Sequence, residues 1–122
     1  MIELNNLSIV ITTLGNSILT QTINSFYNDL NLKCNFEIII TIPESEPLQC
    51  DLSKYKNLIV HKTKFKGQVF QRTEGFKIAK FNYVLQLDDD VEILAISIQN
   101  LISEIDKHNQ DFCISPIFYD IH

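Results

Sequence analysis

Positive charge is scarce in this chain. Ten Lys and Arg stand against 15 Asp and Glu, a net charge of −5. General attraction to nucleic acid or to an anionic membrane is therefore disfavoured. Cysteine is also sparse: Cys34, Cys50 and Cys113 are odd in number and lack metal-type spacing. That argues against a disulfide framework and for reduced, buried thiols. His61, His108 and His122 have no partners at metal-ligand spacing either, which speaks against a histidine metal site. No run approaches the ~20 apolar residues of a membrane-spanning helix. The opening "MIELNNLSIVITT" carries an acidic residue, no basic n-region and too short an apolar run for a signal peptide. The expectation is a cytoplasmic chain with no membrane span, held at the inner face of a membrane only if a further segment anchors it. There is no Gly-x-x-x-x-Gly-Lys phosphate loop and no nucleophile elbow around Ser8, Ser17 or Ser25, so P-loop and Ser-His-Asp chemistry lack support.

What is present is an ordinary globular composition, 45% hydrophobic and 20% charged over 122 residues, enough for one domain with a core. Four short β-branched runs read as strands: Leu7 to Thr13, Phe36 to Glu44, Asn57 to Thr63 and Asn82 to Leu87. The first two are almost continuously apolar, as in a parallel sheet covered on both faces. Phe112 to Phe118 reads as a last strand, interrupted by Pro116. Between them the spacing predicts helices. Leu19, Ile23, Phe26 and Leu30 form one stripe after a turn and cap at Gly15-Asn16-Ser17. Gly67 to Lys80 forms a second helix with Val69, Phe76 and Ala79 as its apolar contacts, and Ile96 to Ile105 a third with Ile98, Leu101, Ile102 and Ile105 inward. The segment "SEPLQCDLSKYK" has no period and reads as loop. Alternating strands and helices predict an α/β, Rossmann-like, mostly parallel sheet flanked by helices. Ligands in such sheets bind beyond the carboxyl ends of the strands. The loops Thr12 to Gly15, Pro43 to Glu46 and Asp88 to Asp90 should share that edge.

The third of these loops holds three adjacent carboxylates, Asp88, Asp89 and Asp90, directly after a buried strand. Two carboxylates ~6 Å apart repel by roughly 2–3 kcal/mol at an effective dielectric of ~20, and by under ~1 kcal/mol in bulk water. A solvated loop tolerates them. At a ligand-binding edge they call for a cation, and Mg²⁺ or Mn²⁺ takes oxygen ligands from one or two carboxylates plus substrate phosphates. In an extended segment Asp88 and Asp90 point one way and Asp89 the other. Haloacid-dehalogenase-like phosphatases also carry Asp-x-Asp, but after their first strand and with Thr or Val where this chain has Glu92. Lys62, Lys64 and Lys66 alternate as on one face of a strand; they suit attraction of a diphosphate, but lysines more often guard a strand end or a solvated loop.

Three segments together resemble the family 2 glycosyltransferases, which have the GT-A fold. "LSIVITTLGN" is similar to the family's opening strand and turn. "GQVFQRTEGFKIAKFNYVLQLDDDV" is similar to its Gly…Ala-Arg-Asn-x-Gly…Ala…Tyr…Leu-Asp-x-Asp run without a gap, placing Gly67, Arg72, Gly75, Ala79, Tyr83, Asp88 and Asp90 in register. "FEIIITIPES" matches the second strand less closely, with Thr41-Ile42-Pro43-Glu44-Ser45 where Val-Asp-Asp-Gly-Ser is common. The resemblance implies a nucleotide-sugar donor, UDP- or GDP-linked, bound by Thr12, Thr13, Glu44, Arg72, Asp88 and Asp89. It implies Mn²⁺ or Mg²⁺ at Asp88 and Asp90, and inverting transfer to a glycan or glycoconjugate acceptor. The family's acceptor site and catalytic base lie well after the Asp-x-Asp strand, and no base is assigned to Asp111 or Asp120. The expectation is therefore one GT-A-like domain over 1–122, incomplete at its C-terminus and inactive alone. The alternative is a non-catalytic GT-A remnant that acts as an oligomerising interaction module.

Overall fold

A computed structural model describes residues 4–15, 18–28 and 34–107. Four strands form one sheet: β1 (Leu4–Thr12), β2 (Cys34–Pro43), β3 (Leu58–Thr63) and β4 (Tyr83–Asp88). Three helices accompany them: α1 (Leu19–Tyr27), α2 (Gln68–Ile78) and α3 (Ala95–Asp106). The strand order is β3-β2-β1-β4, and every pairing is parallel. The expected Rossmann-like α/β architecture is thus the observed one. The Leu30 position, the Asn16-Ser17 cap and the Phe112 to Phe118 strand lie outside the described residues.

Side chains on β1 and β2 alternate between two faces that differ in chemistry. Leu7, Ile9 and Ile11 of β1 and Ile38 and Ile40 of β2 enter one apolar core with Leu19, Ile23 and Phe26 of α1 and Ile98 and Ile102 of α3. The four isoleucines among the strand residues are fully buried, each favouring the fold by roughly 1.5–3 kcal/mol. Leu101 and Ile105 are only half-buried at the edge of this core. The loop between β2 and β3 has neither helix nor strand, as its lack of period predicted, and Leu52 anchors it in the same core.

The opposite face is partly polar and lies under α2. Here the expected contacts are corrected. Val69 is 78% exposed and Phe76 47%, while Gln71 and Gly75 are the buried residues of α2. The reason is steric. A Cβ on Gly75 would stand 2.4 Å from Cγ1 of Val10 and 3.3 Å from Cγ2 of Thr41. Only glycine lets the helix come this close to the sheet, and Gln71, one turn earlier, shares the buried stripe. The ~1 kcal/mol that an interior glycine costs a helix is offset by that approach. Lys64 and Lys66 do not continue a strand alternation, because β3 ends at Thr63.

At the other end of the sheet, buried Glu37 fastens the loop leaving α2. Its Oε2 accepts from the Ser8 hydroxyl at 2.5 Å and from the Lys80 backbone N–H at 2.9 Å. The Phe81 N–H donates to Ser8 Oγ at 3.2 Å. β4 therefore starts from a fixed point beside β1.

Two stability predictions result. Gly75→Ala, favourable for helix propensity alone, should destabilise the fold by about 1–3 kcal/mol through overpacking; a urea unfolding midpoint at or above that of the parent would contradict this. Glu37→Ala, which strips partners from Ser8 and the Lys80 N–H, should cost about 2–3 kcal/mol in the same measurement.

Candidate functional site: the carboxyl edge at β1 and β4

Parallel register sets the site. Thr12 pairs with Thr41 on one side and with Asp88 on the other. The first acidic residue thus stands one strand spacing, ~4.8 Å, from the end of β1. The strand order reverses between β1 and β4, and in open α/β sheets a crevice forms at that point. A cavity of about 380 Å³ opens there. Its walls are Thr12, Thr13 and Leu14 after β1, Lys66, Gly67, Gln68 and Gln71 at the start of α2, and Asp88 and Asp89 after β4.

The acidic triplet does not follow strand alternation, since β4 stops at Asp88 and the chain turns over Asp89 and Asp90. The turn brings Asp88 and Asp89 to the same cavity and leaves Asp90 exposed beside it. Asp89 Oδ2 accepts from the Thr13 hydroxyl at 2.7 Å, and that hydroxyl accepts from the Gly15 N–H at 3.0 Å. Gly15 has φ +92, and a Cβ there would lie 2.3 Å from the Pro47 carbonyl oxygen. Both demands single out glycine at this turn.

Arg72 reaches the cavity through Asp88, its guanidinium 3.1 Å from Oδ1. Both side chains are partly exposed, so the pair contributes little stability. The Arg72 Nε is buried without a hydrogen-bond partner. Glu44 stands apart: it is exposed, its N–H donates to the Thr63 carbonyl at 2.8 Å, and it does not line the cavity. Of the sequence-derived residues, the fold brings Thr12, Thr13, Asp88 and Asp89 onto one cavity, with Arg72 at its margin.

Gln71, which the sequence pattern did not single out, and Lys66, one of the lysines suited to attracting a diphosphate, complete the walls. Gln71 is 3% exposed. Its Nε2 donates to the carbonyls of Thr13 at 3.0 Å and Thr41 at 2.9 Å, and its Oε1 accepts from the Gly67 N–H at 3.3 Å. One amide thereby ties the ends of β1 and β2 to the start of α2. A signal existed, since Gln71 stands where the resembling motif has a small apolar residue before arginine. Lys66 extends along the cavity with its Nζ 3.4 Å from Glu46 Oε1. Carboxylate oxygens on one wall, with Lys66 and the margin arginine nearby, suit an anionic ligand accompanied by a cation.

Solved structures share this fold. One is the 1–349 segment of S. aureus TarS, with TM-score 0.61 and 19% identity, over 84% of this chain and 33% of that one. Another is the same segment in complex with UDP-GlcNAc, with TM-score 0.59 and 21% identity, over 86% of this chain and 32% of that one. At such identity the likeness shows the fold, and this chain spans about a third of the length of each. No curated protein matches it. The sequence profile of glycosyl transferase family 2 matches residues 8–121, nearly the whole chain, and the chain belongs to that family.

Proposed function

We propose that this chain is the donor-binding part of an inverting glycosyltransferase. It takes a nucleotide-diphosphate sugar, UDP- or GDP-linked, into the cavity between β1 and β4 for transfer to a glycan or glycoconjugate acceptor. The observation that carries this reading is the placement of Asp88 and Asp89 on a cavity at the topological switch point, in a chain of this family. The UDP-GlcNAc complex of the structural neighbour TarS supports a nucleotide-sugar donor of that class.

The residues fit Mn²⁺ or Mg²⁺. Among the described residues no group of three or more His, Cys, Asp or Glu is placed to hold a metal, which disfavours an all-protein cage. A dication that arrives with a diphosphate needs only one or two carboxylates. Asp88 and Asp90 would hold it: Asp88 shares one oxygen with Arg72, and Asp90 is exposed, with no hydrogen-bond or ion-pair partner among the described residues. A bound divalent ion would stabilise the negative charge that builds on the departing nucleotide diphosphate. The chain's own groups supply binding and orientation. Thr12 and Thr13 form the wall beside the acidic turn. Gln71 fixes that wall against α2. Arg72 and Lys66 place positive charge near the anionic ligand, and Glu44 serves from the adjacent loop only if a bound donor extends that far. No residue here is assigned as the base that activates the acceptor.

One observation favours a second reading, an interaction module. Phe65, Val69 and Phe76 are 64%, 78% and 47% exposed, and Val69 and Phe76 lie two turns apart on one side of α2. Light scattering with and without nucleotide separates the readings, because an interaction module needs no ligand to associate.

Isothermal titration should show UDP or GDP binding that requires Mn²⁺ and is lost in Asp90→Ala. Binding indifferent to both the metal and the substitution would refute the assignment. A sugar-transfer assay on this chain alone should give no turnover above background; clear turnover would overturn the reading of it as a donor-binding part only.

A further inference from the structure

The middle residue of the acidic triplet is held differently from its neighbours. Its carboxylate takes the Thr13 hydroxyl at 2.7 Å, and its backbone carbonyl takes the Thr22 hydroxyl at 2.8 Å. Thr22 is 1% exposed, belongs to α1 and does not line the cavity. A threonine in a helix commonly turns its hydroxyl onto a carbonyl of the preceding turn. Thr73 does so, onto Val69 at 2.8 Å, and Ser25 likewise onto Thr22 at 2.6 Å. Thr22 instead reaches across to a residue 67 positions later. The turn's own hydrogen bond, from the Val91 N–H to the Asp88 carbonyl, is long at 3.4 Å and correspondingly weak. Three adjacent carboxylates also repel one another. Beside the Arg72 contact of Asp88, the turn is therefore held by these two hydroxyls, one just after β1 and one on α1.

We infer that Thr22, through the Asp89 carbonyl, and Thr13, through the Asp89 carboxylate, position the acidic turn, so that Asp89 is a positioning residue rather than a ligand. The tether fixes where the Asp88 and Asp90 carboxylates stand before any cation arrives. Only the identity of what those carboxylates hold rests on the proposed function.

Thr22→Val removes the hydroxyl while keeping the shape, and Thr22→Ser restores it. Hydrogen exchange followed by NMR, without ligand, should show the Val91 amide, which donates across the turn, exchanging about tenfold faster in Thr22→Val, the equivalent of losing one buried hydrogen bond. Thr22→Ser should stay near the parent. Mn²⁺ titration in the presence of UDP or GDP, read by electron paramagnetic resonance of the free ion, should show affinity about tenfold weaker in Thr22→Val and recovered in Thr22→Ser. Unchanged exchange in Thr22→Val would overturn the tether. Faster exchange with unchanged Mn²⁺–nucleotide affinity would reduce it to a packing contact and overturn the positioning role. A parent chain that binds Mn²⁺ with neither UDP nor GDP would instead sink the proposed function, with the exchange data still deciding the tether. Thr22→Ala serves in the same comparison if Thr22→Val melts below the assay temperature.

Discussion

β1 pairs in parallel on both its edges, with β2 and with β4, and the site exists only because of this double pairing. A parallel neighbour on each side places the ends of β1 and β4, Thr12 and Asp88, abreast of Thr41 of β2 at one rim. The strand order reverses beside β1, so no crossover fills the space above Thr12 and Asp88. The apolar face beneath is packed with isoleucine, leucine and phenylalanine, and such a core resists shifts of register, since a one-residue slip would move a strand's side chains to the opposite face. The hydrophobic effect thus fixes the spacing of polar groups that take no part in the core.

The other face of the sheet shows how a helix can be seated without an apolar stripe. Gly75 brings α2 against Val10, and Gln71 meets the carbonyls of Thr13 and Thr41. The Thr41 carbonyl already accepts from the Thr13 N–H at 3.1 Å, so Gln71 adds a second donor there and supplies one to the Thr13 carbonyl. In doing so it sets the distance between α2 and the cavity wall. The residues that seat the helix are therefore also residues of the site. The outward side of α2 is left with Val69 and Phe76 exposed.

Charge at the rim is arranged rather than merely crowded. Asp88 meets the guanidinium of Arg72, Asp89 meets the Thr13 hydroxyl, and Asp90 faces solvent. Each carboxylate sits in a different environment, which lowers the repulsion that three adjacent aspartates would have if they shared one. Under the proposed function, Asp88 would exchange Arg72 for the dication, leaving the guanidinium to face phosphate oxygens.

By itself the sequence determined the class of fold, the four strands and three helices, the α1 stripe at Leu19, Ile23 and Phe26, and the register of the Arg72–Gly75–Asp88 run with family 2 glycosyltransferases. These are legible because hydrophobic period and motif spacing are local properties of the chain. The inward face of α2, the disposition of Asp89 and Asp90, the distance of Glu44 from the cavity, and the roles of Gln71 and Thr22 were decided by tertiary structure alone. Helix period names an apolar stripe, but close approach at a glycine can select a different one. Strand alternation predicts side-chain direction only as far as the strand runs, and β4 stops at the first aspartate of the triplet. A hydrogen bond between residues 67 or 76 positions apart leaves no trace in local spacing, because it exists only once the sheet has brought β1, α1 and β4 together.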